Sequence, residues 1–169
     1  AENIIMVSPE ANGLVSRESV TKHRRLIESA DTFLLQFEVP NDALFAAVEI
    51  ANAAGVPALL NPSPFRADFR WSELQLDTVI VNKAEATELT GLRIGSIKRQ
   101  LNLWRKALIE RNIRRLVITR GSKSTLHLET TGPVSETPTQ TVSPIDTVGA
   151  GDAFAGCLAA GMARRDSIE

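Results

Sequence analysis

The sequence has no excess of either charge and no long apolar stretch, and each absence excludes a class of protein. Lysine and arginine total 19 against 20 acidic residues, a net charge of −1. That balance gives no electrostatic basis for binding nucleic acid or an anionic membrane. No apolar run approaches the roughly 20 residues that a membrane span needs, and the first residues lack the basic region of a secretory signal. We therefore expect a cytoplasmic protein with neither nucleic acid nor a membrane as partner.

Cysteine and histidine are also scarce. Cys157 is the single cysteine, so an internal disulfide is excluded and a reducing compartment is favoured. His23 and His127 stand alone, without the spacing of metal ligands. The chain further lacks the Gly-Lys-Ser/Thr of a Walker loop and the third glycine of the dinucleotide-binding fingerprint. The two common glycine-rich nucleotide motifs are therefore absent.

What the chain does contain is an ordinary apolar share of 43% over 169 residues, enough for one domain with a core. Short β-rich runs alternate along it with helical patterns. The predicted strands are 3–7, 32–37, 56–60, 78–81, 116–119, 125–128 and 140–142. The predicted helices are 16–28, 41–54, 83–90, 97–111 and one that begins near 150. This alternation predicts an α/β three-layer sandwich, a mainly parallel sheet with helices on both faces.

Polar residues directly follow several of the predicted apolar strands. Ligands of parallel sheets bind beyond the carboxyl ends of the strands. We therefore expect one rim of the sheet to gather Glu38, Asn61, Asn82, Arg120 and Asp146.

The most informative segment is 146–154, DTVGAGDAF, followed by a helical apolar pattern at Phe154, Leu158 and Met162. Glycines at a helix start let a ligand approach the backbone closely, and the first amides of a helix can bind an anion. A free carboxylate there, Asp152, would repel a bound phosphate unless it accepts a proton. The combination suggests phosphoryl transfer to a hydroxyl. Asp and Gly also cap helices commonly, so the segment alone leaves capping open.

Three other segments at the predicted rim allow both a structural and a functional interpretation. Asn82 and Glu85 have the spacing of a capping box, while a carboxylate one turn into a rim helix can also hold Mg²⁺ through water. The turn 119–122, TRGS, offers donors to phosphates or to adenosine and is equally typical of a strand-to-hairpin turn. Glu38 closes an apolar strand, where an acid could receive two sugar hydroxyls or simply lie exposed.

Taken together, these segments resemble the ribokinase-like (pfkB) family of carbohydrate kinases, and its ribokinase branch most closely. The matching stretches are 2–5, 10–12, 35–40, 61–64, 82–85, 89–91, 119–122 and 146–154. Their order and spacing follow the family along nearly the whole chain, and the last stretch is highly specific. The resemblance favours a catalytic role for Asp152 over capping alone.

The resemblance implies phosphoryl transfer from ATP to a sugar hydroxyl. Asp152 would be the base that takes the hydroxyl proton, and Asp152 and Glu38 would contact the sugar. The anion hole for the transferring group would be formed by the amides of Gly149, Ala150, Gly151 and Asp152.

The resemblance also implies sites for the nucleotide and for two cations. The nucleotide would contact Asn82, Thr119, Arg120, Gly121, Ser122, Lys123 and Ser124. Glu85 would hold Mg²⁺ through water. Asp146 and the carbonyl of Val148 would help to bind a monovalent cation, K⁺.

Two departures and the coverage of the family qualify this resemblance. Glu10 and Ser124 stand where family members commonly have glycine. Residues 1–14 match part of the family's lid and 15–169 the central and C-terminal portion of its α/β domain, so the family's own N-terminal and C-terminal parts are expected to be missing. A lone lid strand at 3–7 would tend to seek a partner strand, which predicts a homodimer through the lid.

The sequence thus predicts an ATP-dependent kinase for ribose or a related pentose, with Mg²⁺ and K⁺ as cofactors. One alternative is a catalytically incomplete fragment that only folds, associates or binds nucleotide. Another keeps the chemistry and changes the acceptor to a nucleoside, fructose or a ketodeoxy sugar acid.

Overall fold

The structure, a computed structural model, describes residues 10–67 and 69–166. The predicted strand 3–7, and with it the expected dimer contact, lies outside the described residues. Seven helices are described: α1 (Glu10–Gly13), α2 (Arg17–Lys22), α3 (Arg24–Glu28), α4 (Asn41–Ala54), α5 (Lys83–Thr90), α6 (Leu101–Ile109) and α7 (Ala150–Ala163). Six strands are described: β1 (Phe33–Gln36), β2 (Ala58–Asn61), β3 (Leu76–Asn82), β4 (Ile113–Arg120), β5 (Lys123–Glu129) and β6 (Ser135–Thr137).

The six strands form one sheet in the order of the chain. Strands β1 to β4 run parallel, and β5 and β6 extend the sheet as antiparallel strands. Antiparallel neighbours need only short turns, whereas each parallel step needs a crossover. This confirms the predicted α/β three-layer architecture with a mainly parallel sheet.

Helices cover both faces of the sheet, but unequally. Right-handed crossovers between strands added in one direction place their helices on one face, and residues of α4, α5 and α6 share the main core there, including Leu44, Leu89 and Trp104. On the opposite face Ala155 of α7 packs with Ile80 and Val117. Among the described helices, none has the length and apolarity to cross a lipid bilayer.

Two helices have the bounds that the sequence predicts. Helix α4 ends at Gly55 and α5 at Gly91, with φ of 71° and 72°. This left-handed conformation suits glycine, which has no Cβ to clash.

The predicted helix 16–28 is interrupted, although Ser16 is its N-cap as expected. His23 separates α2 from α3, and its Nδ1 lies 2.8 Å from the carbonyl oxygen of Ser19. That carbonyl would accept the His23 amide in a continuous helix, but the amide donates to Val20 instead. The side chain thus competes with the backbone for one acceptor.

Two further predictions were wrong in extent or position. Helix 97–111 is shorter, because Ile97 follows a separate 3₁₀ turn and α6 begins at Leu101. The predicted strand 140–142 does not form, and residues 135–137 pair with β5 instead. The turn before them, with Gly132 at φ 78°, completes the hairpin before the chain reaches residue 140.

Candidate functional site

Polar residues at the ends of the parallel strands lie at one rim, as predicted for Asn61 and Asn82. Gln36 at the end of β1 is in register with Asn61, and Asn82 at the end of β3 is in register with Thr119. Asn61 is buried there and donates from Nδ2 to the carbonyl of Ile80 at 2.9 Å. Its contact ties β2 to β3.

Asp152 lies in the first turn of α7 and contacts this rim through a single side chain. The amide Nε2 of Gln36 donates to Asp152 Oδ1 at 3.0 Å, joining residues 116 positions apart. The carboxylate is exposed rather than packed away. Sequence reasoning did not select Gln36, although a polar residue ending an apolar strand was a signal for it.

The backbone at the start of α7 leaves several amides without an acceptor among the described residues. Gly149 has φ of 73° and caps the helix without a side-chain bond. The Ala150 amide donates to the carbonyl of Thr147 at 3.2 Å. Across the described ranges 10–67 and 69–166, the amides of Gly149, Gly151 and Asp152 donate to no acceptor. The space where a Cβ would stand on Gly151 is open for 4 Å, so an anion can approach these three amides; Ala150 would first have to release its bond.

Asp146, the residue predicted to bind K⁺, makes a local turn. Its Oδ1 accepts from the Val148 amide at 2.9 Å, and both residues are exposed. Among the described residues, no group of three His, Cys, Asp or Glu side chains could hold a metal ion. The monovalent cation site stays a prediction.

Asn82 and Glu85 form the capping box that their spacing indicates. Asn82 Oδ1 accepts from the amides of Ala84 and Glu85 at 2.8 and 3.0 Å, and Glu85 Oε2 accepts from the Asn82 amide at 2.8 Å. Burial raises the pKa of the Glu85 carboxyl, the bond from the Asn82 backbone opposes that rise, and the nearby Glu88 adds to it. One carboxylate oxygen remains for water or a cation.

A cleft of about 640 Å³ lies between the antiparallel end of the sheet and α7. Thr119 and Gly121 line it from the end of β4, and Ala150, Gly151 and Phe154 line it from α7. The structure therefore brings part of the predicted nucleotide turn next to the predicted anion hole.

The other predicted nucleotide contacts do not line this cleft. Arg120 Nε donates to the Ser124 carbonyl at 2.6 Å, and its Nη2 lies 3.4 Å from Glu136 Oε2. Ser122 and Lys123 are exposed in the turn and do not line the cleft. The contacts of Arg120 and Ser124 join the strand ends to each other and give no support to a nucleotide role.

Glu38 is exposed in the turn after β1, on the same strand end as Gln36. Its Oε2 lies 3.5 Å from Nδ2 of Asn12 in α1. Asn12 is a second residue that sequence reasoning did not select, although it lies in one of the matching stretches. Two polar pairs therefore lie at this end of β1, Asn12 with Glu38 and Gln36 with Asp152.

Comparison with known proteins identifies the family. The model of the pfkB family carbohydrate kinases matches residues 1–169. The chain belongs to this family. The predicted resemblance is confirmed.

Individual relatives agree with that result. The chain is 33% identical over 160 residues to a ribokinase of Mus musculus, covering 94% of this chain and 49% of the relative. It is 28% identical over 160 residues to a deoxyribokinase of Salmonella typhi, covering 94% of this chain and 52% of the relative. The chain therefore spans about half the length of the curated relatives it matches.

Solved ribokinase structures share the fold. A ribokinase from Giardia lamblia superposes with a TM-score of 0.80 at 25% identity, covering 92% of this chain and 50% of that one. An Arabidopsis thaliana ribokinase complexed with ribose and ATP superposes with a TM-score of 0.83 at 21% identity, covering 98% of this chain and 54% of that one. The second likeness supports the fold alone.

Proposed function

We propose that this chain carries the phosphoryl-transfer site of an ATP-dependent carbohydrate kinase that acts on ribose or a related pentose. One observation carries the proposal: a carboxylate held by Gln36 stands in the first turn of α7, beside the free amides of Gly149, Gly151 and Asp152. Membership of a carbohydrate kinase family supports ATP as the donor, and the names of the relatives, a ribokinase and a deoxyribokinase, support a pentose as the acceptor.

In this site Asp152 accepts the proton of the sugar hydroxyl as its oxygen attacks the γ-phosphorus of ATP. The bond from that phosphorus to the bridging oxygen breaks, and ADP leaves. The free amides of α7 stabilise the charge on the equatorial oxygens, where preorganised donors are worth most. Gln36 keeps the carboxylate at the helix start.

The cation roles follow from the residues around α5 and the loop before α7. Mg²⁺ supplies charge neutralisation on the nucleotide phosphates when bound. The free oxygen of Glu85 would hold it through water, next to Asn82 at the rim. Asp146 and the Val148 carbonyl would hold K⁺.

The nucleotide and the sugar bind at two different places in this scheme. The cleft lined by Thr119 and Gly121 receives the nucleotide, and the group around Glu38 and Asn12 receives the sugar hydroxyls. Carboxylates accept such hydroxyl bonds strongly.

A second candidate function is nucleotide binding without turnover. The cleft proposed for the nucleotide lies within the described residues, whereas the proposed acceptor side consists there of a few exposed side chains, and the chain spans about half the length of its relatives. An assay of the chain alone with ATP, Mg²⁺ and D-ribose separates the two. A thermal-shift panel with ribose, a nucleoside, fructose and a ketodeoxy sugar acid then identifies the acceptor.

The test of the proposal is Asp152→Asn in the natural polypeptide that contains this chain. A positioned base contributes about 10²–10⁴-fold, so we expect turnover to fall by that factor while ribose still binds. Asp31→Asn is the control, because Asp31 is exposed just before β1, at the opposite end of that strand from Gln36. Turnover within a factor of about two of wild type in Asp152→Asn would remove the residue from the base role.

A further inference from the structure

The loop after β2 reaches across to the turn that carries Glu38. Arg66 of this loop donates to the carbonyl oxygens of Phe37 and Val39, with Nη1 and Nη2 each 3.4 Å from the latter. Its Nη1 also donates to Asn41 Oδ1 at 2.6 Å, where α4 begins. Phe37 and Val39 are the two neighbours of Glu38, so one guanidinium contacts the backbone on both sides of this acid.

The aromatic ring against which Arg66 lies is buried and packed. Its guanidinium carbon lies 5.4 Å from the centre of the Phe37 ring. That ring is fully buried and packs against Phe69 and Trp71, with centroids 4.5 and 5.7 Å apart. The Phe37 amide adds a second tie to the loop through the Ser63 carbonyl at 3.2 Å.

An arginine side chain is well suited to holding two backbone carbonyls at once. A guanidinium is planar, stays charged and presents its donors in a fixed fork. It therefore selects one arrangement of the two carbonyls and so one course of the backbone through Glu38. A lysine at the same place would keep the charge but not the fork.

We propose that Arg66 is the positioning residue that holds Glu38 in place for the acceptor hydroxyls. The inference rests on the proposed function, because it assumes that Glu38 binds the acceptor. Arg66 itself touches no substrate in this scheme and acts through the turn.

Arg70 offers a matched control in the same loop. Its guanidinium carbon also lies over an aromatic ring, 4.9 Å from the centre of Phe45, and Nη1 pairs with Glu73 at 2.9 Å. It contacts no carbonyl of residues 37–39 among the described contacts. Arg66→Met and Arg70→Met therefore both remove a stacked charge, and only the first removes the fork.

The first readout is hydrogen exchange on the chain itself, which needs no turnover. We expect the Phe37 amide to exchange about tenfold faster in Arg66→Met and at the wild-type rate in Arg70→Met. Equal exchange rates of the Phe37 amide in wild type and Arg66→Met would show that Arg66 does not hold the turn around Glu38.

The second readout is kinase turnover with D-ribose in the natural polypeptide that contains this chain. Arg66→Met should raise KM for ribose about tenfold with KM for ATP unchanged, and Arg66→Lys should recover only part of the loss. Arg70→Met should change neither KM. Faster exchange with an unchanged KM for ribose would overturn the positioning role.

A double-mutant cycle with Glu38→Gln completes the test. If Arg66 acts through Glu38, the two substitutions together raise KM for ribose no more than Glu38→Gln alone, whereas independent effects multiply. Multiplying effects would refute the inference. An unchanged KM for ribose in Glu38→Gln would instead show that the proposed acceptor role of Glu38 is wrong. The exchange data would still show whether Arg66 holds the turn.

Discussion

The capping box at the start of α5 allows the structural and chemical roles of one carboxylate to be separated. Glu85 Oε2 accepts from the Asn82 amide at 2.8 Å, and Asn82 Oδ1 accepts two amides in return. Glutamine also serves at this position of a capping box, because its amide oxygen accepts the same bond. Glu85→Gln therefore removes the charge and keeps the cap, whereas Asn82→Ala removes the cap.

The expected magnitudes differ enough to be measured. Loss of an N-cap side chain costs about 1 kcal/mol, and a substitution that keeps its bond at a partly exposed site stays within about 0.5 kcal/mol. With a urea m-value of about 2 kcal/mol/M, Asn82→Ala should lower the unfolding midpoint by about 0.5 M and Glu85→Gln by less than about 0.25 M.

The pH dependence gives an independent check on the same carboxyl. Burial raises the pKa of Glu85 in the folded protein, so the folded state holds this proton more tightly than the unfolded state. That contribution to stability is complete below the unfolded pKa of about 4.3 and is lost as the pH rises through the folded pKa. Wild type should therefore gain stability relative to Glu85→Gln as the pH falls from 7 towards the unfolded pKa.

Urea unfolding of the three proteins at pH 7 and pH 5 measures both effects. A midpoint for Glu85→Gln as low as that for Asn82→Ala would mean that the charge itself holds the cap, and the reasoning would be refuted. If the cap survives, the Mg²⁺ concentration for half-maximal turnover should rise in Glu85→Gln. An unchanged Mg²⁺ requirement would leave Glu85 with a capping role alone.

Two further predictions concern the core and the sheet. Leu108→Ala empties a fully buried site on α6 and should cost about 2–5 kcal/mol in urea unfolding, whereas Leu103→Ala on the same helix, 49% exposed, should cost under about 1 kcal/mol. Burial lowers the pKa of His127, Glu129 opposes this and Arg115 adds to it, so the folded protein disfavours the protonated ring. The stability that this contributes is present above the unfolded pKa of about 6.5 and is lost as the pH falls through the folded pKa. The urea midpoint of His127→Gln should therefore fall less than that of wild type between pH 7.5 and 5.5. Midpoints that fall equally in both proteins would contradict the lowered pKa of His127.

Local signals in the sequence were sufficient to predict the helices that end in glycine. Gly55 and Gly91 adopt the left-handed conformation that an apolar helical pattern followed by glycine indicates. The rim could be predicted for a similar reason, since parallel strands bring their carboxyl ends together. The break at His23 could not, because it arises from a side chain that competes for the Ser19 carbonyl.

Long-range contacts could not be predicted from the sequence, for a different reason. The bond from Gln36 to Asp152 joins residues 116 positions apart, and no local pattern encodes which strand end α7 will cover. The loop containing Arg66 likewise gave no signal, because its contacts are with the backbone of the turn around Glu38. Backbone carbonyls exist at every position and leave no trace in the residue types.

Thr119 and Arg120 are neighbours in β4 but lie on opposite faces of the sheet. Successive residues of a strand point to opposite faces, and Thr119 lines the cleft beside α7 while Arg120 pairs with Glu136. Glu136 also binds Lys98 at 2.9 Å, on the side of the sheet that α6 covers. Arg120 is therefore paired on the face away from the cleft. In the proposed site, peptide amides at the start of α7 would therefore stabilise the phosphates, and glycines at 149 and 151 leave those amides accessible where side chains would cover them.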